Sequence, residues 1–175
     1  MGKLERPASD EYSSYFQRYL DRVPGDDAAP LLASQLEETL RQLGAISEPQ
    51  AMHRYAEGKW SVKEVLLHLC DAERVFLYRA LSFARGAKDP LPGFDENAWV
   101  PESAADRRPM ADLVDEFRAV RTGTLAFARG CPPEALVRRG VANGTPMSVR
   151  AALWIIVGHE RHHLGILRER YGVGA

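Results

Sequence analysis

His159-Glu160-Arg161-His162-His163 lies inside a run, from about Ser148 to Arg170, that reads as one long amphipathic helix. Residues four apart share a helix face, so His159 and His163 can present two imidazoles to one metal ion. Their neighbours on that face are apolar: Ala152, Ile155, Ile156, Ile166 and Leu167. An imidazole in such a seam needs a partner for its ring nitrogens, and a metal ion is one. His162 sits beside this face and is the fallback if the pair is His159 and His162; otherwise it belongs to the surroundings of the site or to the surface.

Working outward, three further helical patterns appear and no convincing period-2 strand. The first runs from about Ala28 to Leu43, with Leu32, Leu36, Leu40 and Leu43 on one stripe and Pro30 in its first turn. The second starts at Ser61-Val62-Lys63-Glu64, a capping box with Ser61 as N-cap and Glu64 as its partner. It runs to about Arg85, before Gly86, on a stripe of Val65, Leu69, Ala72, Val75, Phe76 and Leu81. The third spans about Pro109 to Arg129 and ends at Gly130 and Pro132-Pro133. Ahead of them Tyr12, Tyr15, Phe16 and Tyr19 follow helical spacing, as a short helix lying across the bundle or a pocket rim. The expectation is an all-α four-helix bundle, one domain over residues 1–175.

The segment from about Gly86 to Arg108, with Pro90, Pro92, Gly93 and Pro101, is long for a hairpin between antiparallel neighbours. It can cross the length of a bundle and leave the second and third helices parallel, giving an up-down-down-up order. The second helix carries one inward histidine, His68, on its apolar stripe. At the α-helical rise, His68 lies roughly 10 Å from the start of its helix, and His163 roughly 10 Å from the end of the last one. The levels agree if those two helices run antiparallel and miss by about 9 Å if they run parallel. Loop length and histidine level favour the same arrangement. His68, His159 and His163 are therefore the candidate metal ligands, three protein donors with room for an open position.

The same stretch satisfies the zinc-protease pattern His-Glu-x-x-His, in which the glutamate is a general base. Only twelve residues follow His163, and no strand is evident to hold an extended peptide. Glu160 is also rotated about 100° from His159, so it is read as a surface group or a neighbour of the site. Ser61 and Glu64 are read as caps, Trp60 as a pocket wall or packing anchor, and Tyr55 and Asp71 as outer partners of the site. His53, in a connecting segment, is read as exposed.

A net charge of −1 argues against a nucleic-acid partner or an acidic membrane surface, both of which call for a basic face. No apolar run approaches the roughly 20 residues that span a bilayer. The first residues, Met1 to Arg6, lack an apolar signal region, and a cytoplasmic location is expected. Cys70 and Cys131 are too few and too far apart for a disulfide framework or zinc finger and are read as free thiols.

Gly58-Lys59-Trp60-Ser61-Val62-Lys63-Glu64-Val65-Leu66-Leu67-His68 with Asp71-Ala72-Glu73-Arg74, and Gly158-His159-Glu160-Arg161-His162-His163 with Glu169-Arg170-Tyr171, together resemble the DinB-like family. Pro92-Gly93-Phe94-Asp95 and Arg118-Ala119-Val120-Arg121 fit the same pattern, which is similar to the YfiT-like branch, to which metal-dependent hydrolase activity is ascribed. The resemblance implies a bundle of up-down-down-up order, commonly a homodimer, with a divalent metal on three histidines that map to His68, His159 and His163. It implies a small-molecule substrate and, as in relatives that are thiol transferases, a low-molecular-weight thiol. Three neutral imidazoles leave the metal's charge uncompensated, so a bound water or thiol would lose its proton near neutral pH and attack an electrophile. Imidazoles suit Zn, Ni, Fe or Cu alike. The expected function is a metal-dependent hydrolase or thiol S-transferase; the alternative is a metal-bound bundle with a binding or stress-related role and no turnover.

Overall fold

The computed structural model describes residues 2–173. Two 3-10 turns, Ser9–Glu11 and Ser14–Phe16, lead into a short helix α1 (Gln17–Leu20). Helix α2 (Ala29–Gly44) and the single turn α3 (Glu48–Ala51) precede the long helix α4 (Val62–Ala84). Helix α5 (Glu96–Glu102) lies in the connection to α6 (Met110–Gly130). A turn α7 (Pro133–Leu136) and a hairpin of β1 (Arg139–Ala142) and β2 (Thr145–Ser148) then lead into α8 (Val149–Tyr171). Helices α2, α4, α6 and α8 form the bundle, each displaced by no more than about one residue from its expected bounds.

Local chemistry sets these ends. At α4 the Ser61 hydroxyl accepts from the Glu64 backbone N–H (3.1 Å), and the Ser61 N–H donates to the Glu64 carboxylate (2.7 Å), the reciprocal box expected of that sequence. Helix α8 starts on the Ser148 hydroxyl, which accepts from the Ala151 N–H at 3.0 Å, and stops at Gly172 in the left-handed region (φ 66°). Among the described residues no helix is long and apolar enough to cross a membrane.

Three expectations need correction, at the strand pair, at Leu81 and at Glu160. A strand pair is present where none was expected: β1 and β2 are antiparallel and turn at Asn143 (φ 49°) and Gly144 (φ 72°). Two consecutive left-handed residues make the tight turn whose twist matches a hairpin, and Asn-Gly is its usual sequence. The crossover after α4 docks on this hairpin: the Leu91 N–H donates to the Val141 carbonyl (2.9 Å), and the Asn143 N–H to that of Leu91 (3.0 Å). Leu81, placed on the buried stripe of α4, is instead 40% exposed. The α4 stripe turns with the 3.6-residue period, so Ala80, Phe83 and Ala84 take the core at that end.

One polar network crosses the middle of the bundle and includes a residue from each of its helices. Arg121 on α6 grips Glu73 on α4 with two hydrogen bonds, Nε to Oε1 at 2.8 Å and Nη2 to Oε2 at 2.7 Å. Its Nη1 lies 2.8 Å from Oε2 of Glu160 on α8, whose Oε1 accepts from the Thr39 hydroxyl on α2 at 2.5 Å. Glu160 is thus a buried anchor, 1% exposed, and not the surface group or site neighbour that was expected. Burial raises its pKa, with Arg121 and Thr39 opposing the rise. Burial would also lower the pKa of Arg121, but Glu160 and Glu73 outweigh it and raise it.

The N-terminal segment is tied down separately. The Trp154 indole N–H donates to the Leu4 carbonyl at 2.9 Å. Arg150 on α8 clasps the buried Glu11 carboxylate, with Nε donating to Oε2 at 2.8 Å. Burial pushes the Glu11 carboxyl up, but Arg150, Ser148 and the Ala8 backbone outweigh it and hold it at about 2. Helix α8 meets α1 at Gly158, where any Cβ would collide with the main-chain carbonyl of Tyr19.

Arg121→Ala should cost roughly 3–5 kcal/mol in a urea titration, because it strands two buried carboxylates. Acid should weaken the fold through Glu11. A carboxyl whose folded pKa is depressed stabilises the protein above its unfolded value of 4.5 and loses that contribution as pH falls toward about 2. Glu11→Gln should therefore lower stability at neutral pH and flatten its decline across that window, as read by thermal melts at stepped pH.

Candidate metal centre and its pocket

Helix α4 supplies His68, and α8 supplies His159 and His163 one turn apart. Nε2 of His159 stands 3.1 Å from Nε2 of His68 and 3.1 Å from Nε2 of His163. Ring centroids are 4.9 Å apart for His68 and His159, 4.9 Å for His68 and His163, and 4.5 Å for His159 and His163. Among the described residues these three form the one group of histidine, cysteine or carboxylate donors gathered within 4.8 Å. Burial lowers the pKa of His68 to about 4. His159 and His163 fall well below the ordinary value, first through burial and then through the neighbouring imidazoles.

These rings are therefore neutral at neutral pH, each with one N–H and one lone pair. Hydrogen bonding alone cannot satisfy the cluster. His159 Nε2 faces two partners, yet as a donor it has one proton and as an acceptor one lone pair. A single cation accepts lone pairs from all three. Metal–nitrogen bonds of about 2.0–2.1 Å in tetrahedral geometry put ligand nitrogens about 3.3 Å apart, close to the spacing here. The donor set fits a divalent metal.

The trio opens on a cavity of about 320 Å³. Trp60 is a wall of it, its ring centroid 4.9 Å from that of His68, and the Trp60 carbonyl accepts from the Tyr171 hydroxyl at 2.7 Å. Tyr19 packs edge-on against His159 (5.2 Å) and His162 (5.3 Å), so the N-terminal aromatic segment contributes to the pocket. His162 lines the cavity outside the trio, with Nδ1 buried and unpartnered. Tyr55 and Asp71 do not line the cavity: Tyr55 packs on Tyr171 at 5.0 Å, and Asp71 faces Arg74 at 3.4 Å. His53 is exposed, as expected. Cys70 is buried and its thiol pKa is pushed up by burial; Cys131 borders a separate cleft of about 650 Å³ that holds none of the three histidines.

Sequence reasoning did not assign Phe76, Arg79, Phe94, Asn143 and Thr145 to the pocket. For Phe76 and Arg79 a signal existed: they follow His68 by eight and eleven residues, on its own helical face. Asn143 and Thr145 arrive only through the hairpin, and Phe94 only through the folded-back crossover.

Comparison with known proteins accords with this geometry. The chain superposes on YfiT from Bacillus subtilis with a TM-score of 0.67 at 18% identity, covering 96% of this chain and 94% of that one. YfiT is described as a probable metal-dependent hydrolase with an unusual four-helix bundle topology. No curated protein sequence matches the chain. The model of the DinB superfamily matches residues 31–167, a span that holds all three histidines and most of each of the four bundle helices, and the chain belongs to that superfamily.

Proposed function

We propose that this protein is a metal-dependent enzyme, a hydrolase or a transferase using a low-molecular-weight thiol, with His68, His159 and His163 as the metal ligands. The observation that carries the reading is the convergence of three Nε2 atoms at the edge of a ligand-sized cavity. A bundle using metal only as a structural staple has no need of a cavity beside it. Superfamily membership and the metal dependence ascribed to YfiT support the same reading.

Bound there, a divalent metal supplies Lewis acidity and a lowered pKa to an oxygen or sulfur nucleophile at its open position. The protein's own groups do the rest. Burial keeps the imidazoles unprotonated. Trp60 and Tyr19 wall the cavity beside the histidines. Glu160 is committed to Arg121 and Thr39, on the side of α8 away from His159, and takes no part in proton transfer.

The up-down-down-up order belongs to this reading, and three sets of pairings support it. Lys63 and Glu73 on α4 meet Arg108 and Arg121 in ascending order. Gln35 and Thr39 on α2 likewise meet Val157 and Glu160 of α8. Trp60 and His68, by contrast, meet Tyr171 and His159 in descending order. A single domain and a homodimeric assembly complete the proposal, resting on chain length and the family resemblance, and a cytoplasmic location is proposed with them.

Elemental analysis of protein purified without chelator should find about one divalent metal per chain, since three ligands make one site. His159→Ala should lose it on gel filtration while keeping its helical circular dichroism. Wild type that neither carries metal nor takes up zinc, nickel or iron on reconstitution would sink the model. Thiol-conjugation and ester-hydrolysis screens on the loaded protein then separate the two reactions.

A further inference from the structure

We propose that the pocket takes an elongated substrate with an anionic end, and that Arg79 receives the anion. The substrate's reactive end would face the three histidines, so this inference rests on the reading of that site as catalytic. His68, Ala72, Phe76 and Arg79 follow one another at spacings of four, four and three on α4, which keeps them on one face, and all four line the cavity. From His68 to Arg79 the helix rises about 16 Å. The cavity therefore has imidazoles at one end and a guanidinium at the other. Between them lie the small Ala72 and the rings of Phe16, Phe76 and Phe94.

The state of Arg79 carries the argument. Two arginines are fully buried among the described residues, Arg121 at 0% exposure and Arg79 at 3%. Arg121 holds two carboxylates. Arg79 holds none: no carboxylate oxygen among the described residues lies within 4.0 Å of it, although Glu96 lines the same cavity. Its Nη2 donates to the Pro92 carbonyl at 2.9 Å, its Nε is buried without a partner, and the rings of Phe76 and Phe94 lie 5.4 and 5.9 Å from its Cζ. A guanidinium does not shed its proton, and burying one without a counter-charge is costly. One carbonyl and two ring faces offset part of that cost and leave donors unused. A planar carboxylate matches those donors.

The test is calorimetric and uses a matched pair, 8-mercaptooctanoate and 8-mercapto-1-octanol, titrated into zinc-reconstituted and metal-free protein. Wild type should prefer the carboxylate by at least about tenfold, the scale of a hydrogen-bonded charge. Arg79→Met should erase the preference while zinc stoichiometry stays unchanged, and Arg79→Lys should keep part of it. Equal affinity for acid and alcohol in wild type would overturn the proposal, as would a preference that survives Arg79→Met. Should Arg79→Met fail to fold, wild type and Arg79→Lys decide alone. Loss of zinc uptake would be a failure of the metal site; the acid-over-alcohol ratio on metal-free protein would still report on Arg79.

Discussion

The guanidinium of Arg121 is the constraint on which the rest of the structure depends. It is buried at 0% exposure and bound to carboxylates from two other helices, one of which reaches Thr39 on the fourth. A charge in that position tolerates little sliding, because a shift of one residue on any helix would leave a buried carboxylate or guanidinium unpaired. Apolar packing alone is more forgiving of such shifts. The network therefore fixes the helices' relative height and rotation.

The same lock places the metal donors. Glu160 follows His159 directly, and Glu73 follows His68 by five residues. On each helix the carboxylate and the imidazole point to different sides, about 100° apart on α8 and about 140° on α4. Pairing the carboxylates with Arg121 turns the imidazoles toward each other. What reads in sequence as a protease motif is two adjacent residues with separate tasks, His159 for the site and Glu160 for the frame.

The bundle was legible because its signals are local. Ser61 and Glu64 announce α4, Ser148 announces α8, and the apolar stripes run long enough to show their period. His68 could be joined to His159 and His163 because helix rise converts sequence position into height. The Arg121 network was not legible, since Thr39, Glu73, Arg121 and Glu160 come from four helices and no local pattern links them. The hairpin was too short for alternation to register, and only the Asn143-Gly144 pair marked it. Arg79 stood on the face of His68, but the missing counter-ion is a property of the folded neighbourhood alone.

The contact at Gly158 bears on how such a protein can change. There the main chain of Tyr19 comes so close that α8 needs a glycine, and the Tyr19 ring packs on His159 and His162 beside it. Tyr15, Phe16, Arg18 and Tyr19 precede the span matched by the superfamily model, whereas the donors lie within it. Part of the cavity wall thus comes from a stretch outside the one that carries the donors, while Phe76, Arg79 and Phe94 share the donors' span. Changes at Tyr15, Phe16 and Arg18, ahead of that span, would reshape this part of the wall and leave the three donors in place.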